Sequence, residues 1–386
     1  MLLLAIIYLG FICLGLPDSL FGSAWPVLQL EFDVPVSYAG FVTVTTYICT
    51  IISSLFTEKI TRKISTGLLT AISVGMTALA LLGFAFSTQF WMLILFAIPM
   101  GLGAGCVDAA LNNYMAIRYS SKHLSWLHCF WGVGAIVSPY IMSYWLKNDS
   151  QWDKGYLNVG IIQCILTIIL FASLPLWKKG ESKSPSKENS KHTGLTYKEI
   201  FSLKGIKENL FSFFAYCSIE GIAFSWTSSY FVSGRGINAE TAAKYAALFY
   251  IGMSLSRLVT GFFSDRVGDK NMIRLGCFIS LAGVIITLIP FTSVMPAIIG
   301  IFVLGFGCGP IYPAIMHSTP AIFGEGNSQS IVGLEMAFAY VGSTVMPPLF
   351  GIVARHFGLG LYPVFLCIFV LTTIVLTERL NKKVKR

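Results

Sequence analysis

Five ionisable side chains, Asp18, Asp108, Glu220, Arg257 and Glu335, lie inside long apolar runs of this 386-residue chain. At the centre of a lipid-facing helix each would cost roughly 2.5–3.5 kcal/mol on insertion scales. Such groups persist where they face water, a ligand or one another. A carboxyl group held away from bulk water favours its neutral form, so it can load a proton on one side and lose it on the other. The stretch GAGCVDAALNNY, Gly103 to Tyr114, places Asn112 one helical turn after Asp108, so carboxylate and amide share a face. Asp18 stands in GLPDSLFGSAWP, where Pro17, Gly22 and Pro26 loosen the helix and free backbone groups. Asp18, Asp108 and Glu220 are therefore the candidates for cation coupling. A proton is the expected ion, and sodium suits the same oxygens.

Glu220 precedes Trp226 at nearly the spacing with which Asp18 precedes Trp25. An acceptor beside an aromatic plate suits a sugar, whose hydroxyls need hydrogen bonds and whose C–H face stacks on rings. Trp25 and Trp226 are read as candidate plates, with anchoring at the membrane interface as the alternative. Asn112, His128, Trp131, Gln163, Tyr312, His317 and Tyr340 extend the candidate substrate cavity, although a lone buried histidine more often serves packing. Arg257 and Glu335 lie at matching depths and are expected to form a structural or gating ion pair. Contact between Arg257 and an anionic ligand is the competing reading. No residue spacing resembles a zinc site, a nucleophile–base pair or a Walker A loop, so neither an enzyme, nor direct ATP coupling, nor a bound cofactor is expected.

The elements that must position these groups follow from composition. The chain is 55% hydrophobic and 12% charged, with a mean hydropathy of +0.72. Apolar runs of about 18 or more residues recur along it, each long enough to cross a hydrocarbon core of about 30 Å. The reading is an all-α membrane protein with twelve transmembrane helices in two pseudo-symmetric six-helix bundles. Spans are predicted at 2–28, 38–57, 66–87, 90–117, 124–146, 156–177, 208–233, 241–263, 272–290, 295–322, 329–354 and 360–378. The first lacks the basic flank and cleavage site of a removable signal peptide and is read as retained. Bundles over 1–177 and 208–378 are joined by a linker at 178–207, whose Lys178–Gly194 stretch is Ser/Lys-rich, and a tail follows at 379–386.

Twenty-one of the 27 basic residues fall in the segments on one side, five on the other, and Arg257 within a span. This bias puts both termini in the cytoplasm, as expected in a plasma (bacterial inner) membrane, and explains the net charge of +9 without nucleic acid. The nine cysteines all fall inside predicted spans and read as small packing residues. The expected partners are the lipid bilayer and a small molecule, with the chain acting as a monomer. Punctuation repeats between the halves: Asp18/Glu220, Gly103/Gly305, Gly105/Gly307 and Cys106/Cys308 share one offset, and Gly134/Gly342 follow a larger one. Two parallel repeats place binding where the halves face each other.

GFFSDRVGDK resembles the Gly-x-x-x-Asp-Arg-x-Gly-x-Lys loop of the major facilitator superfamily, with Asp265, Arg266 and Lys270 on its charged positions. FTEKITRK, with Glu58, is its degenerate twin. The resemblance implies a charge latch at one end of the helices. GLGAGCVDAALNNY is similar to the fourth helix of the fucose:proton symporter branch. LSWLHCFWGVGAIVSP and YCSIEGIAFSWTSSY resemble that branch's fifth and seventh helices. Membership implies that Asp18 and Asp108 fall on its proton-coupling and sugar-binding carboxylates, Asn112 on its asparagine and Glu220 on its helix 7 acid. His128 and Trp131 stand where that branch has amides, Asp108 is one methylene shorter than its glutamate, and Asn113 replaces a proline. These departures point away from fucose itself and leave a hexose-like or other polyhydroxy substrate as the expectation. The expected function is cation-coupled sugar uptake by alternating access. The alternative is a proton-coupled exporter, whose Gly-Pro-rich fifth helix GVGAIVSPYI does not reproduce.

Overall fold

The computed structural model describes residues 2–147, 151–181, 195–289 and 293–384, and among them no strand occurs. Most of the Ser/Lys-rich linker, residues 182–194, lies outside the described residues. The long helices are α1 (Leu2–Asp18) with α2 (Leu20–Glu31), α3 (Ala39–Thr61), α4 (Thr66–Ala85), α5 (Phe90–Arg118), α6 (Ser121–Leu146) and α7 (Trp152–Ala172). Short α8 (Leu174–Glu181) and α9 (Tyr197–Ser202) precede α10 (Ile206–Arg235) and α11 (Ala239–Thr260). After the single turn α12 (Ser264–Val267) come α13 (Asp269–Leu288), α14 (Met295–Cys308) with α15 (Ile311–Phe323), α16 (Glu325–Phe357) and α17 (Tyr362–Val384). Ten stretches are long and apolar enough to cross a membrane when α1–α2 and α14–α15 each count once. The seventh and eighth expected spans, α10 and α11, have the length at 30 and 22 residues but carry more polar side chains.

Large apolar side chains such as Leu79, Ile168, Phe224, Phe278 and Ile352 are more than half exposed, while Thr50, Thr57, Ser212 and Thr227 are buried. A soluble protein reverses that arrangement; a lipid-facing one does not. The buried hydroxyls stay satisfied by donating to carbonyls of their own helix, as Thr50 does to Thr46 and Thr57 to Ser53, both at 2.8 Å.

The chain forms two compact units, Met1–Tyr114 with Leu127–Gly194, and Met115–Trp126 with Leu195–Arg386. The expected bundles ended at 177 and began at 208, so the turn between α5 and α6 is a difference. It belongs with the second unit because Asp265 accepts from Ser120 Oγ at 2.8 Å and from the Lys122 backbone N–H at 3.0 Å, and Trp126 donates to the Leu258 carbonyl.

Apolar burial cannot drive helix pairing in lipid, so close approach and hydrogen bonds must do it. In the first unit α1 lies against α6 backbone to backbone: a Cβ on Gly15 would sit 2.0 Å from the Trp131 carbonyl oxygen, and one on Gly134 2.3 Å from that of Ile12. In the second unit α10 meets α16 in the same way, Gly221 against Ser343 and Gly342 against Phe214. Ile12 and Leu16 flank Gly134 as Phe214 and Ser218 flank Gly342, which preserves the offset read for Asp18/Glu220. The pairs Gly103/Gly305 and Gly105/Gly307 need correction. Gly103 faces Ser73 of α4, but Gly305 faces Phe249 of α11; the partner that faces α13 is Gly307. Gly105, against Thr50 of α3, corresponds to Gly309, against Ser256 of α11. Facing, and not identity, fixes the register, and it makes Tyr312 the counterpart of Asp108.

The prolines complete the pattern. A proline in a helix leaves the carbonyl four residues earlier without its N–H partner. Pro17 frees the Cys13 carbonyl, and Gln163 Nε2 of α7 donates to it at 2.6 Å. Pro139 frees that of Ala135, and Ser19 Oγ donates to it at 2.5 Å. Pro313 frees that of Gly309, and Arg257 Nε donates to it at 3.4 Å. Each break is thereby a bond between helices.

Candidate functional site

The break between α1 and α2 leaves Asp18 at a helix end, exposed, in the middle of a 30-residue apolar stretch. The Gly15–Gly134 contact sets α6 so close that Trp131 Nε1 reaches Asp18 Oδ2 at 2.8 Å. On α5, Asn112 Nδ2 donates to Asp108 Oδ1 at 2.7 Å and to the Asp108 carbonyl at 3.0 Å, so carboxylate and amide share a face as expected. Asn112 Oδ1 is an acceptor only, so His128 Nε2 at 3.0 Å must carry the hydrogen between them. His128 is buried, with Phe11 edge-on at 5.3 Å between ring centres. The first unit therefore collects Asp18, Trp131, Asp108, Asn112 and His128 into one polar patch from three elements. The Trp131 indole that donates to Asp18 and the Asn112 amide that donates to Asp108 are both neutral donors.

In the second unit Glu220 is treated differently. Arg257 Nη2 donates to Glu220 Oε1 at 3.1 Å, and the Tyr216 hydroxyl lies 2.6 Å from the same oxygen. That hydroxyl is also 2.9 Å from the Cys308 carbonyl, at the end of α14 where the helix stops before Pro310. Arg257 was expected to pair with Glu335. It pairs with Glu220 instead, because the side chain crosses to α10 beside the Gly309–Pro310 break. Glu335 is fully buried elsewhere, bonded to Asn209 Nδ2 and to Thr319 Oγ1. Tyr312 is half-buried, tilted against Phe213 with ring centres 4.8 Å apart, and Tyr340 is half-buried on α16.

Three expected substrate contacts have structural positions. Trp25 is buried in the apolar core of the first unit against Phe21 and Phe90. Trp226 donates to the Pro347 carbonyl at 2.9 Å and covers Gly351, clamping α10 to α16. Gln163 caps the carbonyl freed by Pro17. In each case a polar or aromatic side chain read as a substrate contact answers a packing need of a neighbouring helix. At the helix ends, Glu58 pairs with Arg62 one turn on, and Arg266 is exposed beside Asp265. Lys270 begins α13 next to Asp269, whose Oδ2 meets His317 Nδ1 at 2.7 Å. Tyr216 was missed although it precedes Glu220 by one turn, the spacing at which side chains meet. Ser19, Asn209 and Thr319 carried no local signal.

The sequence matches the model described as Major Facilitator Superfamily over residues 7–292 and 210–383. The chain belongs to the Major Facilitator Superfamily. It is a multi-pass membrane transporter and not an enzyme. Among curated proteins it is 23% identical to bypass of stop codon protein 6 of Saccharomyces cerevisiae, over 93% of this chain and 78% of that protein. It is 22% identical to the glucose/mannose transporter GlcP of Bacillus subtilis, over 73% and 70%. The fold is similar to that of the transporter FucP in its outward conformation, with a TM-score of 0.81 at 15% identity over 99% of both chains. It is also similar to the proton:xylose symporter XylE, at 0.78 and 12% identity over 99% of this chain and 95% of that one.

Proposed function

We propose that this transporter takes up a sugar or similar polyhydroxy molecule together with a proton, by alternating access. The observation that carries the reading is the patch in which Asp18 and Asp108 are held mid-span by Trp131 and Asn112. The Asp18 carboxyl, bonded by the neutral Trp131 indole, can be neutral or charged without breaking an ion pair, as a proton carrier must. Trp131, Asn112 and His128 supply donors, an acceptor and a ring face to hydroxyls. The pairing of Glu220 with Arg257 uses up the cation that an anionic substrate would need, which supports an uncharged one. Coupling is accordingly assigned to Asp18 and Asp108, with Glu220 and Arg257 shaping the second unit. The similarity to GlcP, FucP and XylE agrees with this reading. The basic bias supports both termini in the cytoplasm, and a monomer in the plasma membrane completes the proposal.

The test is accumulation of labelled hexoses and deoxysugars in proteoliposomes under an inward proton gradient. A substrate should accumulate with the gradient and cease to do so when a protonophore is added. Asp108→Asn should abolish accumulation while exchange persists. Accumulation by that variant equal to the wild type would remove Asp108 from coupling, and transport driven only by an inward sodium gradient would replace the proton.

A further inference from the structure

Glu335 is the fully buried acid that the proposed transport cycle leaves unused. Both of its hydrogen bonds run through Oε1, one with Asn209 on α10 and one with Thr319 on α15, and Oε2 is buried without a partner. No cation is among these contacts. Several charged and titratable groups on the helices around it are engaged with other partners. On α10, Glu208 bonds Lys383 and Glu220 bonds Arg257 and Tyr216. On α15, His317 bonds Asp269 and Tyr312 meets Met336 Sδ, and on α17 Glu378 bonds Arg274. An ionised carboxylate so placed would bear the full desolvation cost with two neutral hydrogen bonds against it, which burial does not tolerate.

The hydrogen count points the same way. Thr319 Oγ1 lies 2.6 Å from Glu335 Oε1 and 3.2 Å from the Ile315 carbonyl, and its one hydrogen serves only one of them. With a proton on Oε1 the acid donates to Thr319, Thr319 donates to Ile315, and Asn209 donates to Oε1. Without it, the Ile315 carbonyl loses this donor and keeps the Ser318 hydroxyl, which donates to it at 2.8 Å. Asn209 also lines a mixed polar and apolar pocket of about 260 Å³, with Ser212, Asp269, Lys270, Ser318 and Asn381, at the end of the unit where α10 begins and α17 closes. We propose that Glu335 is a proton-binding site of the second unit, occupied in this structure as a neutral carboxylic acid, with Asn209 as its link to that pocket.

The experiment is infrared difference spectroscopy of the resting protein in lipid, without substrate, so its result does not depend on whether a sugar is transported. The wild type should show the C=O stretch of a protonated carboxyl group that Glu335→Gln removes. Thr319→Val should shift that same band to higher frequency, because the carboxyl loses a hydrogen-bond partner. Glu335→Gln, which keeps the shape of the neutral acid, should melt within a few degrees of the wild type near neutrality and above it at alkaline pH. A carboxyl region unchanged by both substitutions overturns the proposal. So does a Glu335→Gln variant whose melting temperature falls with rising pH as the wild type's does.

Discussion

Glu220 and Arg257 show what one buried side chain can settle. Arg257 is 3% exposed and is tied to Glu220 and to the Gly309 carbonyl. Arg257→Met alone should cost about 3–5 kcal/mol, because the carboxylate keeps its burial and loses its cation. Adding Glu220→Gln should recover most of that loss, and a double-mutant cycle on melting in detergent measures the coupling. Additive losses would show that the pair is not an energetic unit. Gln163 gives a second case. Gln163→Leu should cost about 1–3 kcal/mol by orphaning the Cys13 carbonyl, and leave substrate affinity unchanged in a thermal-shift titration. The positions of the five intramembrane charges were legible, because an acid in an apolar run stands out whatever surrounds it. Their partners were not. Arg257 and Glu220 are 37 residues apart in sequence, and Glu335 and Asn209 are 126 apart, so only the packed helices reveal who meets whom.

Helices here are seated by what they lack. Gly15 and Gly134 let α1 and α6 touch through their backbones, and the prolines Pro17 and Pro139 turn lost helical bonds into bonds between helices. Gly134→Val puts side-chain atoms where the Ile12 carbonyl stands, and should cost at least about 1–3 kcal/mol as overpacking. It should also weaken substrate binding by pulling Trp131 away from Asp18. Gly22→Ala is the matched control: a Cβ there meets nothing within 4 Å, and stability should hold or rise by up to about 1 kcal/mol. Equal losses in both variants, measured by thermal unfolding, would show that helix flexibility and not contact is at issue. Order and approximate ends of the helices were readable from apolar run length, since the bilayer thickness sets the period. The true register between α5 and α14–α15 was not, because two glycines two residues apart offer equivalent letters with opposite facings. Only the neighbour each one meets, Phe249 of α11 for Gly305 and Ser280 of α13 for Gly307, distinguishes them.

At the scale of the whole molecule, charge decides what hydropathy leaves open. Apolar run length says that a segment crosses but not in which direction, and a fold similar to FucP fixes connectivity without fixing which face is cytoplasmic. The proposed orientation rests on the lysines and arginines, because positively charged loops are retained on the cytoplasmic side. Twenty-one of 27 fall at one set of helix ends and connections, among them Lys59, Arg62 and Lys63 at the end of α3 and Arg379 to Arg386 at the end of the sequence. The opposite set has only Lys147, Lys154, Arg235, Lys244 and Arg355. A fluorescent-protein reporter after Arg386 should therefore fold and fluoresce, while alkaline phosphatase inserted between Lys147 and Lys154 should be active, each requiring its own side. Phosphatase activity from the C-terminal fusion, with none from the 147–154 insertion, would invert the chain. It would also invert the proton-driven uptake proposed above, since Asp18 and Asp108 would then meet the gradient from the other face. Replacing Lys59, Arg62 and Lys63 together with glutamine should leave topology unchanged, because the remaining eighteen still outnumber five. Reorientation of that variant would show that the first loop alone directs insertion.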